Sequence, residues 1–123
     1  MSQQAIKQIL SFNAGSDLSN SIYKVVKMTA DQTVDVVSAV GDVPIGVIVE
    51  PAGAGKAVGV AISGTVKVLV GGTNLTISAG DVLAIANNGT VVKYDATNNP
   101  QKIGIALEGG STGSYIEMLI RIL

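Results

Sequence analysis

The stretch Ile45–Ile62 reads IGVIVEPAGAGKAVGVAI and decides the fold. Two apolar runs, Ile45–Val49 and Ala57–Ile62, flank Glu50 and a small-residue break, Pro51-Ala52-Gly53-Ala54-Gly55. Val- and Ile-rich runs separated by Pro and Gly are the pattern of a β-hairpin with a longer loop. The pattern returns near the end of the chain, where Ile103–Ile120 reads IGIALEGGSTGSYIEMLI. At an offset of 58 residues, Ile45 falls on Ile103, Gly46 on Gly104, Glu50 on Glu108, Gly55 on Gly113 and Ile62 on Ile120. Most other positions match apolar with apolar. A repeat of this kind changes the fold assignment, because each copy is one structural unit needing a neighbour to bury its face. The expectation is two similar β-halves packed into one small domain, with Gly46, Glu50, Gly55, Gly104, Glu108 and Gly113 as the structural positions of the two hairpins.

Working outward, Ile22–Met28 and Thr33–Ala39 read as strands around Ala30-Asp31-Gln32. Thr65–Val70 alternates Val66, Val68 and Val70 against Thr65, Lys67 and Leu69, after a bend or bulge at Ser63-Gly64. Leu75–Ile77, Val82–Ala86 and Val91–Tyr94 follow as short strands. Asn88-Gly89 lies between the last two, and Asn-Gly between apolar runs is a strong hairpin signal because both residues tolerate positive φ. Tyr23–Val36 aligns with Asp81–Tyr94 at the same offset of 58, with Val34 on Val92. Turn signals every eight to twelve residues predict an all-β barrel or sandwich of short strands. Residues 16–123 form the β-rich domain in this reading. Residues 1–15 stand apart as an N-terminal arm, or as an edge strand of the same domain, with Ile6, Ile9, Leu10 and Phe12 its apolar residues.

Composition narrows the function. The 123 residues suffice for one domain with an unstapled core. Charged residues make up 14% of the chain and the net charge is −1, so no basic footprint for nucleic acid exists. A chain so weakly charged and so apolar points to an assembly in which much of the surface is covered. No run is long and apolar enough for a membrane-spanning helix, and the N-terminal residues lack a secretory signal pattern.

With no His and no Cys, neither a Ser-His-Asp nor a Cys-His arrangement can be built, nor a zinc site of the usual kind. Gly53-Ala54-Gly55-Lys56-Ala57 imitates a phosphate loop but has Glu50 where the first Gly belongs and Ala57 where Ser or Thr belongs. Asp31–Asp35 lacks the glycine and bidentate glutamate of a calcium loop. Glu50 and Glu108 are a carboxylate pair on paper, yet each more simply ends its strand and bonds the adjacent loop. No catalytic, metal or cofactor site is assigned, and no small-molecule substrate, nucleic-acid or membrane partner is expected.

Four pieces together carry a resemblance. They are Asp17-Leu18-Ser19 with Tyr23–Lys27; Ile45–Gly55 continuing to Ser63-Gly64-Thr65-Val66; Ile77-Ser78-Ala79-Gly80-Asp81-Val82-Leu83; and Gly104–Glu108 with Gly113. In this order the chain resembles the capsid decoration, or cement, proteins of tailed bacteriophages, lambda-type decoration proteins among them. The resemblance implies a non-enzymatic virion protein, made in the host cytoplasm and placed on the outer capsid surface. It implies a homotrimer that clamps neighbouring major capsid subunits and stabilises the shell. It also implies that the N-terminal segment contacts the capsid, which would give that role to Ile6, Ile9, Leu10 and Phe12. The alternative from another class is a small β-barrel that binds carbohydrate or a host surface.

Overall fold

The computed structural model describes residues 5–122. Met1–Gln4 of the expected arm, and Leu123, lie outside the described residues. The elements are β1 (Ile6–Ala14), β2 (Val25–Ala30), β3 (Thr33–Val36), β4 (Gly46–Glu50), β5 (Ala57–Leu69), β6 (Thr76–Ile77), β7 (Val82–Ile85), β8 (Val91–Lys93), β9 (Lys102–Ala106), β10 (Gly110–Ser111) and β11 (Tyr115–Ile120). A 3-10 turn at Asn87–Gly89 joins β7 to β8. There Asn88 and Gly89 both take positive φ, 61° and 71°, as the Asn-Gly signal predicts.

The first unit is a closed ring of five strands, β1-β3-β2-β4-β5, with β5 pairing back onto β1. Alternate side chains point inwards, as strand geometry requires. Ala14, Val26, Val34, Ile48, Val58 and Val60 fill the ring and are buried. From Ile6 to Ala14, the stretch read as an arm is therefore a strand of this ring. It runs antiparallel to β5 from Ile6–Gly64 to Asn13–Ala57, and parallel to β3 at Asn13–Thr33 and Ala14–Val34.

The second unit repeats the first. Its strands are the C-terminal half of β5, then β11, β9, β7 and β8, and a parallel bridge from Val70 to Val91 returns it to β5. The register repeats pair by pair. Leu10–Val60 becomes Val66–Met118, and Phe12–Val58 becomes Val68–Ile116. Val26–Val36 becomes Leu83–Lys93. Val47–Ala61 becomes Ile105–Leu119. The offset is 56 at the first strand (10 to 66), 57 in the middle hairpin (26 to 83) and 58 in the closing one (47 to 105). The matched Asn-Gly hairpin thus slips by one residue: Val34 corresponds to Val91, not Val92. The cause is one extra residue in each of two connections of the second unit.

β5 belongs to both units. Its 13 residues close the first ring with Ala57–Ile62 and then serve the second unit as β1 serves the first. The change of role falls at Ser63-Gly64, where Gly64 has φ +89° and packs against the β1 backbone at Ala5 and Lys7. The units also share apolar surface. Val25, Val37, Val47 and Ala61, on the outward face of the first ring, join one core with Val66, Val68, Leu83, Ile85, Ile103, Ile116 and Met118 of the second. Around this contact the Gly89 amide donates to the Val37 carbonyl at 3.0 Å, and Tyr23 meets Tyr115 edge-on at 5.6 Å. Among the described residues no polar or charged side chain is buried, so the core needs no internal polar partners.

Candidate functional site

The hairpin positions sit where the repeat requires them, and their roles differ. Gly46 and Gly104 are buried at equivalent places, and a Cβ on either would come within 3.0 Å of the carbonyl oxygen across the ladder, Ala61 or Leu119. Gly55 and Gly113 hold the turns at φ +76° and +91°. Their amides donate to equivalent carbonyls, Gly55 to Ala14 at 2.8 Å and Gly113 to Val70 at 2.9 Å. The Glu108 carboxylate accepts the Glu117 amide at 2.8 Å. Glu50 lies over Gly59, the counterpart of Glu117. Each glutamate thus folds back over its own hairpin, and this accounts for both without acid–base chemistry. The phosphate-loop lookalike is the β4–β5 hairpin tip, with Lys56 exposed. Among the described residues no group of three or more acidic, His or Cys side chains is placed to hold a metal ion.

What stands open is the far end of the first ring. An apolar groove of about 510 Å³ lies there, lined by Leu10, Phe12, Met28, Val43, Pro44, Ile45, Ile62 and Ile122. Leu10, Met28 and Val43 are 38%, 41% and 62% exposed. These side chains offer no hydrogen bonds, and Phe12 is the one aromatic ring. β1 borders the groove. Between Ile6 and Phe12 it is paired only with β5 among the described residues, so its other edge carries unpaired backbone amides and carbonyls. A bare edge is a template for another strand.

The structure therefore divides the four residues assigned to the arm. Leu10 and Phe12 face the groove. Ile9 turns to the opposite side and is 44% exposed. Ile6 is half-buried against the core shared by the two units. Met28, Val43, Pro44 and Ile122 were not expected there. Each looks like an ordinary strand or loop apolar residue, and only the ring brings them beside Leu10.

The rim at Val43-Pro44 is held by Asp42. Its carboxylate accepts the Ser38 amide at 2.9 Å, the Lys27 ammonium at 2.9 Å and the Ala39 amide at 3.0 Å. These bonds, led by the Ser38 amide, lower its pKa from 3.8 to about 2. A carboxylate depressed in the folded state adds stability above its unfolded pKa, and that stability fades as pH falls through the folded value. Asp42→Asn is accordingly expected to melt at a lower temperature than wild type at pH 7. The difference should close between about pH 4 and pH 2 in thermal scans followed by circular dichroism.

A closed apolar interior, an open apolar recess and a bare strand edge make up an assembly component. The chain belongs to the phage cement protein family, whose model matches residues 19–122. Membership gives it a structural role in association with the capsid of the virion. The match begins after β1, so the strand beside the groove lies outside it. The fold is similar to that in the crystal structure of the head fiber gp8.5 N base of bacteriophage phi29, with a TM-score of 0.69 and 20% identity over 93% of each chain. No curated protein sequence matches the chain.

Proposed function

We propose that this protein decorates the outer surface of the capsid as a homotrimer and clamps neighbouring major capsid subunits. Capsid contact is made through the N-terminal strand. The free edge of β1 from Ile6 to Phe12 carries this reading, with Ile9 exposed beside it. An added strand gains backbone hydrogen bonds along such an edge, and the alternating side chains give it specificity. One edge needs only modest affinity. Three edges on one trimer raise the effective concentration of the second and third contacts. The protein is made in the host cytoplasm and has no catalytic task in this role. A carbohydrate-binding role finds less support, because the groove lining lacks hydrogen-bonding side chains and holds a single ring.

The test is co-sedimentation with expanded shells that lack the protein. Wild type is expected to pellet with the shells. Ile9→Asp, at an exposed position that leaves the core intact, is expected to bind at least about tenfold more weakly, equivalent to about 1.4 kcal/mol. Equal binding by both would move the contact off β1. Absence of binding by wild type would overturn the capsid-clamp reading for that shell.

A further inference from the structure

The two units share one design, yet their surfaces are not equally covered. Inside the chain, the outward face of unit one covers the apolar layer of unit two. Val25 and Val47 present that face and are fully buried. The layer they help to bury includes Val66, Val68 and Ile85, also fully buried. The repeat supplies a counterpart for every member of this contact. The counterparts of the covering residues are Val82, 40% exposed, and Ile105, half-buried, on the outward face of unit two. The counterparts of the covered layer are Leu10, Phe12 and Met28, which line the open groove of unit one. One molecule therefore carries both halves of a contact that it has already made once internally, with Val82 exposed on one half and Leu10 and Met28 exposed on the other.

We propose that the outward face of unit two in one copy, around Val82 and Ile105, docks on the groove of unit one in the next copy. The contact repeats between copies the one made within each. It is head-to-tail: the surface given differs from the surface received, so it closes a ring when the rotation between copies permits. Around such a ring units one and two alternate, and each covers the apolar layer of its neighbour. Leu10 and Phe12 are then spent on the neighbouring copy, which leaves the edge of β1 and Ile9 for the capsid. The pairing of faces deepens the trimer reading but does not depend on the shell.

The test uses the full chain in solution, without capsids. Wild type, Met28→Asp and Val82→Asp are weighed by sedimentation velocity, each alone and the two variants mixed in equal amounts. Both sites are exposed in the monomer, and circular dichroism checks that both variants fold. Leu10→Asp and Leu107→Asp, on the same two faces, replace them if either does not. Wild type is expected as a closed oligomer. Each variant alone is expected as a monomer, since every possible pair contains one damaged face. The mixture is expected to give a one-to-one dimer and nothing larger, because only one intact pair of faces remains. A monomeric wild type, a variant that keeps the wild-type mass, or a mixture that stays monomeric would each overturn the pairing. A monomeric wild type would overturn the trimer together with the pairing, whereas the other two outcomes overturn the pairing alone, and none of the three replaces the separate shell-binding test.

Discussion

Gly104→Ala is expected to destabilise the protein by about 3 kcal/mol or more, and Gly46→Ala by a similar amount. Both glycines lie on strands whose partners approach too closely for a side chain. At Gly46 a methyl group would press on the Ala61 carbonyl and the Val60 side chain. At Gly104 it would press on the Leu119 carbonyl and the Met118 side chain. The Ala61 and Leu119 carbonyls belong to strands held in register with other strands, β5 and β11, so neither can move without disturbing its ladder. Neither glycine has a positive φ, so the cost is steric and not conformational. Equilibrium denaturation by urea checks the expectation. Alanine tolerated at either site within about 0.5 kcal/mol, the range of neutral surface changes, would show that the strands are not so tightly apposed.

Removing residues 1–14 is expected to have the larger effect still, leaving a chain that does not fold. The deletion takes away a wall of the first ring. It strips the inner edge of β5 from Ala57 to Gly64, leaves β3 without its parallel neighbour, and uncovers Val34, Val58 and Val60. Each of those side chains contributes roughly 1.5–3 kcal/mol by burial, against a total stability of about 5–15 kcal/mol for a domain. Loss of the cooperative thermal transition, with aggregation of the truncated chain, is the expected observation. A truncated protein that stays soluble and melts cooperatively would mean that β1 is dispensable to the ring. For this reason the capsid contact is better probed by a point change at Ile9 than by truncation.

Much of this architecture was legible before any coordinates. The paired hairpins betrayed the repeat because Gly46 and Gly104 answer to one steric demand, while Gly55 and Gly113 answer to one turn. The same logic made the strands short and the turns frequent. Two things were harder to read. β1 was ambiguous because Ile6, Ile9 and Leu10 fit a helical face while Leu10 and Phe12 fit a strand, and neither run is long enough to decide. Alternation is clean only from Leu10 to Ala14, with Ser11 and Asn13 outward; Ile9 adjoins Leu10, and the register shifts on either side of Gln8 break the period before it. Only pairing with β5 and β3, more than 15 residues away in sequence, settles its place. The groove was hidden for a similar reason. Leu10, Met28, Val43 and Ile122 come from four distant segments, and no local pattern marks them as neighbours. What the sequence did carry was the disproportion between apolar content and charge, which is the chemical signature of a surface meant to be covered.

The shared strand has a consequence for how the molecule came apart from, and stays unlike, a string of beads. Most tandem repeats meet across an interface, so a cut in the linker frees two smaller bodies. Here the thirteenth residue of β5 is in the second unit and the first is in the first, with no linker between them. A cut at Ser63-Gly64 would leave each ring its own strands but sever the one strand that carries both, leaving Val25, Val37, Val47 and Ala61 joined to the second unit by the apolar core they share with it. The two halves therefore have one thermodynamic fate: local opening of either loosens the common strand of the other, and the protein is expected to behave as a single cooperative body.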